Sequence, residues 1–555
     1  MDLFRKDLLD AARGLVPADT ICRSAGIFNP YTCTWDKGTL AIKDGIVLGI
    51  GDYTGKTVLD FSGQYIVPGL IDAHVHIESS LLVPREYARL VALRGTTTVI
   101  ADPHEIANVA GTAGLEFMLA EREGAATDIR YMLPSCVPAT PAETGGAVLE
   151  ASDLRPFIQR EGVLGLAEMM NVPGVLAGDP AIGKKLELSQ VRDGHAPMLS
   201  GKDLNAYLLA GLQSDHECTT FAEAKEKLDR GMYIFIREGS TERNIADLIT
   251  LVSPSTVSRC CFSTDDCHAD LLTEHGHIDR CIRRAIECGL SPELAIRMAT
   301  LSPAERFGLA DRGALVPGRQ ADFCVIDDPN RFIIHRVFRG GIEVSPAVPA
   351  TTTIPPESFR CTTPSARAIS ITGSGPARVI GLVPHQIMTE SLEYSIDAPG
   401  IPDTKRDILK VVVVNRYRPG SCGVGLVHGF GFSGGAIASS ISHDTHNIIA
   451  TGTSDPEILW AIDEVIKARG AMVAVRGNTR AMLPLDCAGL MSTLPCQLVT
   501  ERLTDLRRIT GLMSGIEDPF MYLSFLALTV VPSLRITDRG LFDGIAFHDV
   551  PLFLS

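Results

Sequence analysis

The chain lacks any Cys-x-x-Cys pair, and its 14 cysteines are scattered over 555 residues. Disulfide frameworks belong to short secreted chains, so these residues read as free thiols in a reducing compartment. An uninterrupted apolar run is missing near the N-terminus. There Met1-Asp2-Leu3-Phe4-Arg5-Lys6-Asp7 interleaves charged and apolar residues, a pattern that speaks against a signal peptide. The most apolar late stretch, 523–534, is too short to span a bilayer and contains Pro532. A basic stripe is also missing, and the formal net charge of −15 opposes binding to nucleic-acid phosphates. Internal repeats and low-complexity tracts are absent. These absences lead to a soluble, cytoplasmic chain with neither a membrane nor a nucleic acid as partner. It is long enough for two or three domains.

No Gly-rich strand-to-helix turn follows the first apolar strand, which weighs against a doubly wound sheet. Instead, short apolar runs alternate with helical patterns from Tyr65 to about Leu309. Strands are expected to begin near Tyr65, Thr96, Asp128, Val163, Leu188, Gly211, Met232 and Val257, with helices over 85–94, 221–230 and 278–288. Eight repeats in roughly 245 residues match a (β/α)8 barrel. The expected fold is therefore α/β, with a TIM-type barrel over 65–309. A hairpin turning at Asp44-Gly45, a strand over 318–327 and a hairpin around Gly340-Gly341 suggest a small β-domain built from both flanks, 1–64 and 310–345. A Pro-, Thr- and Ser-rich linker over 346–367 leads to a C-terminal α/β domain over 368–555.

The densest chemical signal is His74-Val75-His76, which follows the apolar run after Pro68-Gly69. Residues two apart on a strand point to one side, so both imidazoles can face a single point. On a helix they would diverge by about 200°. Five further candidates fall at or near expected strand ends: Glu168, His195, His216, and the adjacent Asp265 and Asp266. Active sites of this barrel lie at the C-terminal ends of the strands. Four imidazoles and two carboxylates exceed the needs of one tetrahedral ion and suit two divalent ions bridged by a carboxylate.

These motifs resemble the amidohydrolase superfamily and, within it, the metal-dependent adenine deaminase family. The resemblance runs through Pro68-Gly69-Leu70-Ile71-Asp72-Ala73-His74-Val75-His76-Ile77-Glu78-Ser79-Ser80, Asp102-Pro103-His104-Glu105 and Gly165-Leu166-Ala167-Glu168-Met169-Met170. It continues through Asp193-Gly194-His195, Ile236-Arg237-Glu238-Gly239-Ser240 and Ser263-Thr264-Asp265-Asp266. In the last domain it takes in Ser442-His443-Asp444-Thr445-His446-Asn447 and Leu483-Pro484-Leu485. It implies a purine base as substrate, adenine deaminated to hypoxanthine and ammonia, and two divalent ions per subunit. Manganese or iron is favoured and zinc is possible. It also implies a homo-oligomer.

Carried over by position, the resemblance implies that His74, His76 and Asp265 hold the deeper ion, that Glu168 bridges, and that His195 and His216 hold the outer one. Asp265, Glu168 and His216 would be catalytic. Glu78, Ser79, Arg237 and Glu238 would reach the purine edge, or else cap helices and pair ions within the fold. His104, His443 and His446 would stand behind the ligands. The alternative is another binuclear amidohydrolase acting on a different amino-heterocycle or a cyclic amide. A barrel without catalysis would not need all six candidate ligands. The cytidine type of zinc deaminase is excluded: His76-Ile77-Glu78 matches half of its signature, but Pro495-Cys496 is followed by Gln497-Leu498-Val499.

Overall fold

Eight short parallel strands follow one another along the first half of the chain: β1 (Leu70–Val75), β2 (Thr96–Ala101), β3 (Asp128–Leu133), β4 (Val163–Met169), β5 (Arg192–Gly194), β6 (Ser214–Asp215), β7 (Tyr233–Arg237) and β8 (Cys260–Ser263). The structure is a computed structural model and describes residues 3–140, 144–345, 347, 354–355, 358–384, 386, 388–397 and 401–554. Strands β1 to β5 pair in chain order as one sheet and β6 to β8 as another. The Gln213 N–H donates to the Arg192 carbonyl at 3.2 Å where the two sheets meet. On the other side, Val75 bridges Asp265 in parallel, and the Asp265 N–H donates to the His74 carbonyl at 3.0 Å. These contacts close a barrel. Ile71, Ala73, Ile100, Met132, Ala167, Phe235 and Cys261 fill its interior against Phe307 and Leu309.

Several strands differ from the sequence expectation for physical reasons. The run from Tyr65 is not the first barrel strand. It ends the long strand Gly55–Pro68, whose residues Tyr65 to Pro68 pair antiparallel with Phe323–Ile326 in the flanking sheet, and the barrel begins at Leu70. The strand expected near Val257 starts at Cys260, after a 3-10 turn over Val257–Arg259. The fifth and sixth strands begin at Arg192 and Ser214 and are three and two residues long.

The flanking sheet takes strands from both sides of the barrel, in the order Ile342–Glu343, Ile334–Arg339, Phe323–Ile326, Gly55–Pro68, Ala18–Asn29, Thr39–Lys43 and Ile46–Gly51. Asp44 and Gly45 take φ values of 51° and 75°, the left-handed pair that an Asp-Gly hairpin turn of type I′ requires. The stretch expected as a linker over 346–367 lies partly outside the described residues.

The C-terminal portion is an eight-stranded sheet running from Thr389–Asp397 at one edge to Thr479–Pro484 at the other. One face, with Val412, Val414 and Ala438, packs on Ile458, Ile462 and Val465 of the helix Asp455–Ala468. The other face, with Val411, Val413 and Ile437, shares one apolar cluster with the helix Cys496–Met513 and with Leu81, Leu82 and Tyr87 of the barrel. This continuity holds the sheet against the barrel, and the Ser492 N–H donates to the Leu81 carbonyl at 2.8 Å. None of the described helices is long and apolar enough to cross a membrane. The cysteines are all free.

Candidate metal centre

Ile71 and Ala73 face the barrel interior, so strict alternation would send His74 outward. The register of β1 against β2 shifts between Asp72 and Val75. Across that shift His74 and His76 turn their Nε2 atoms to within 3.1 Å of each other. The Nδ1 of His76 lies 3.1 Å from the Asp102 carbonyl, which fixes its proton there and leaves Nε2 facing the cavity. Asp265 follows β8 with φ of 55°, an uncommon backbone for an aspartate. Its backbone bonds to β1 across the seam hold it there.

Glu168, in β4, stands between two sets of donors. Its Oε1 lies 3.3 Å from His76 Nε2 and 3.8 Å from His74 Nε2. Its Oε2 lies 2.8 Å from His195 Nδ1 and 3.2 Å from His216 Nε2. Asp265 Oδ1 is 3.1 Å from His76 Nε2 and 3.5 Å from His74 Nε2. All six residues expected as ligands are thus gathered at one end of the barrel. The neighbouring carboxylate of Asp266 takes a hydrogen bond from Ser79 Oγ. His104 lies 3.6 Å from Glu168 through Nδ1 and 3.5 Å from Glu105 through Nε2.

The electrostatics ask for positive charge. Burial opposes ionisation of Glu168, yet His216, His195 and His76 hold its carboxyl well below the usual range. Asp265 is likewise held low, against burial, by His74, His76 and Arg237. In return, and again against burial, Glu168 pushes His216 up to about 9. Without another cation His76, His195 and His216 would keep protons, and a divalent ion would replace them. Imidazole nitrogens and carboxylate oxygens are suitable donors for such an ion. The buried cluster of His, Asp and Glu donors therefore fits divalent metal.

Asp72 underpins the seam. Its Oδ1 accepts the N–H groups of His74 and Thr264, both at 3.2 Å. Its Oδ2 accepts the Thr264 hydroxyl at 2.5 Å and lies 3.0 Å from His277 Nε2. Asp72→Asn is expected to leave the barrel folded and to weaken divalent-ion binding about 10- to 100-fold, read by competition with a chelator. An unchanged affinity would remove Asp72 from the support of the site.

The cavity over the cluster is lined by His76, Glu168, His195, His216 and Asp265, by Glu105, Glu217, Arg237, Glu242 and His443, and by apolar Met170, Phe525 and Leu528. Of the residues expected at a purine edge, only Arg237 lines it. The other three make contacts within the fold. Glu78 Oε1 accepts the Ile106 N–H at 3.1 Å, in the first turn of the helix His104–Ala110. Glu238 pairs with Arg280 at 3.2 Å. Ser79 bonds Asp266 and borders a smaller cavity beside His443 and Met521. His443 donates to Glu105 at 2.6 Å, and His446 contacts the other oxygen of the same carboxylate. Reasoning from sequence missed Glu217, Glu105 and Glu242, and the apolar wall from the C-terminal portion.

Comparison with known proteins agrees with this arrangement. The model of the amidohydrolase family matches residues 65–344, and that of the adenine deaminase C-terminal domain matches 386–548. A protein named adenine deaminase from Methanoregula boonei is 62% identical over 550 residues, covering 99% of this chain and 98% of the relative. Another so named, from Methanoculleus marisnigri, is 59% identical over 512 residues, covering 92% of this chain and 99% of the relative. A third, adenine deaminase 2 of Carboxydothermus hydrogenoformans, is 43% identical over 566 aligned positions, covering 99% of each.

Proposed function

The chain belongs to the amidohydrolase family and, within it, to the adenine deaminases, and on that premise we propose that it hydrolyses adenine to hypoxanthine and ammonia in purine salvage. One observation carries the reading: four imidazoles and two carboxylates converge on a buried cavity with an apolar wall. The cavity takes two divalent ions per subunit, manganese or iron in preference to zinc. Glu168 would be shared by both, with His74, His76 and Asp265 holding one ion and His195 and His216 the other. A cytoplasmic homo-oligomer is the expected state.

When bound, such ions supply Lewis acidity, which brings the pKa of a water molecule to about 7. Asp265 moves the protons. Its Oδ2 accepts from Arg237 Nη1 at 2.8 Å, and Arg237 is itself held by Glu217 at 2.5 Å. That pairing supports an ionised Asp265 able to act as base. Asp265 takes a proton from the attacking water and passes it to ring nitrogen N1 as the C6–O bond forms. The second water proton goes to the amine, the C6–N bond breaks, ammonia leaves and a keto base remains. His216 orients the water from the other side of Glu168. Met170, Phe525 and Leu528 give the flat base an apolar surface and exclude solvent.

The test is ammonia release by purified protein loaded in turn with manganese, iron or zinc. Adenine is the substrate, and guanine, cytosine and adenosine are the controls. We expect release from adenine alone, lost on chelation and restored by the ion. No release from protein shown to hold two ions would sink the reading and favour a different amino-heterocycle or a cyclic amide.

A further inference from the structure

Glu105 belongs to the barrel, yet its carboxylate is held by the C-terminal portion. His443 Nδ1 lies 2.6 Å from Oε1, and His446 Nε2 contacts Oε2. The three side chains are buried. The hydrogen bonds fix the tautomer of His446. Its Nδ1 accepts the Ser442 N–H at 3.3 Å, so the proton of the neutral ring sits on Nε2 and is donated to Glu105. His446 is therefore a donor to Glu105 here. His443 is stacked on Phe525, with ring centroids 4.7 Å apart, and this packing sets the plane from which it donates.

Each carboxylate oxygen has two acceptor positions. The histidines use one on each, and Glu105 still lines the cavity. Its place there is specific. His104 spans from Glu168 on one side, at 3.6 Å, to Glu105 on the other, at 3.5 Å. Glu105 thus stands beyond the metal donors, with the His104 ring between them. A purine with C6 at those donors would direct its five-membered ring away from them, toward the part of the cavity that Glu105 lines.

We propose that Glu105 accepts the imidazole-edge N–H of the base, and that His446 and His443 are positioning residues that aim it. The C-terminal domain then selects free bases over N9-substituted purines. This rests on the adenine reading of the site and deepens it. A site built to bond a substrate N–H rejects an analogue lacking it far more strongly than it rejects a change of size.

The test uses the full-length, metal-loaded protein and purine, which has no amine to lose, so binding is read apart from turnover. Wild type is expected to bind purine at least about 100-fold more tightly than 9-methylpurine by calorimetry. His446→Leu removes the donor. It should weaken purine binding about 10-fold or more, narrow that ratio, and raise KM for adenine with kcat within a few-fold. His446→Gln keeps an N–H donor and should restore most of the binding. If His446→Leu does not fold, Glu105→Ala is read by the same ratio. A ratio preserved in the folded variant would show that the methyl group is excluded by size alone and would overturn the proposal. Equal binding of both ligands by wild type would do the same. Failure to release ammonia from adenine, with the binding ratio intact, would strike the deaminase reading and not this contact.

Discussion

Glu168→Gln is expected to lower adenine turnover on the order of 10⁴-fold while leaving the fold intact. The amide has the size of the carboxylate, so packing around β4 need not change. It lacks the charge, however, and one of its two terminal atoms becomes a donor. That matters because both oxygens of Glu168 face donors: His76 and His74 on one side, His195 and His216 on the other. One half of the site would lose its shared acceptor and meet an N–H₂ group instead. Metal analysis of the purified variant should show fewer than two ions per chain, with circular dichroism like that of wild type. A folded variant that keeps most of its turnover would overturn the proposed bridging role of Glu168.

How far such a site could be read from sequence depended on where its residues lie along the chain. His74 and His76 were legible because spacing of two on an apolar strand end admits few other geometries, and their Nε2 atoms meet at 3.1 Å. His195 and His216 were harder. They follow strands of three and two residues, too short to leave an apolar run. Tyr65 to Pro68 misled for the opposite reason. That run is as apolar as a barrel strand, but it pairs with Phe323–Ile326 from the far side of the barrel, a partner that periodicity does not reveal. Glu217 and Glu105 stood beside His216 and His104 in the sequence, where an acidic neighbour reads as solvated. Only the fold shows Glu217 gripping Arg237 at 2.5 Å and Glu105 held from another domain. Phe525 and Leu528 fell in a stretch weighed as a membrane segment, and their place in the cavity wall depends on docking across hundreds of residues.

The second large effect is expected at Lys227, which lies outside the set of candidate ligands. Its ammonium is fully buried in the helix Phe221–Asp229. It donates to Asp215 at 2.9 Å, Glu223 at 2.7 Å and the Ala196 carbonyl at 2.6 Å. Asp215 also accepts the Ala196 N–H at 2.8 Å. Ala196 follows His195 and Asp215 precedes His216, so one charge ties together the two segments that carry these histidines. Lys227→Met fills the same space but leaves Asp215 buried without its counter-charge, a loss of about 3–5 kcal/mol. For a domain of this size that is a fall of roughly 6–20 °C in the apparent melting temperature of the barrel, and metal occupancy should fall with it. Adding Asp215→Asn removes the stranded charge and should recover part of the loss, since neighbours in one network do not act additively. If the single variant melts with wild type, the ammonium is not what holds His195 and His216 in register. If the double variant is no better than the single one, the cost lies in lost hydrogen bonds to the backbone at Ala196 and not in the orphaned carboxylate.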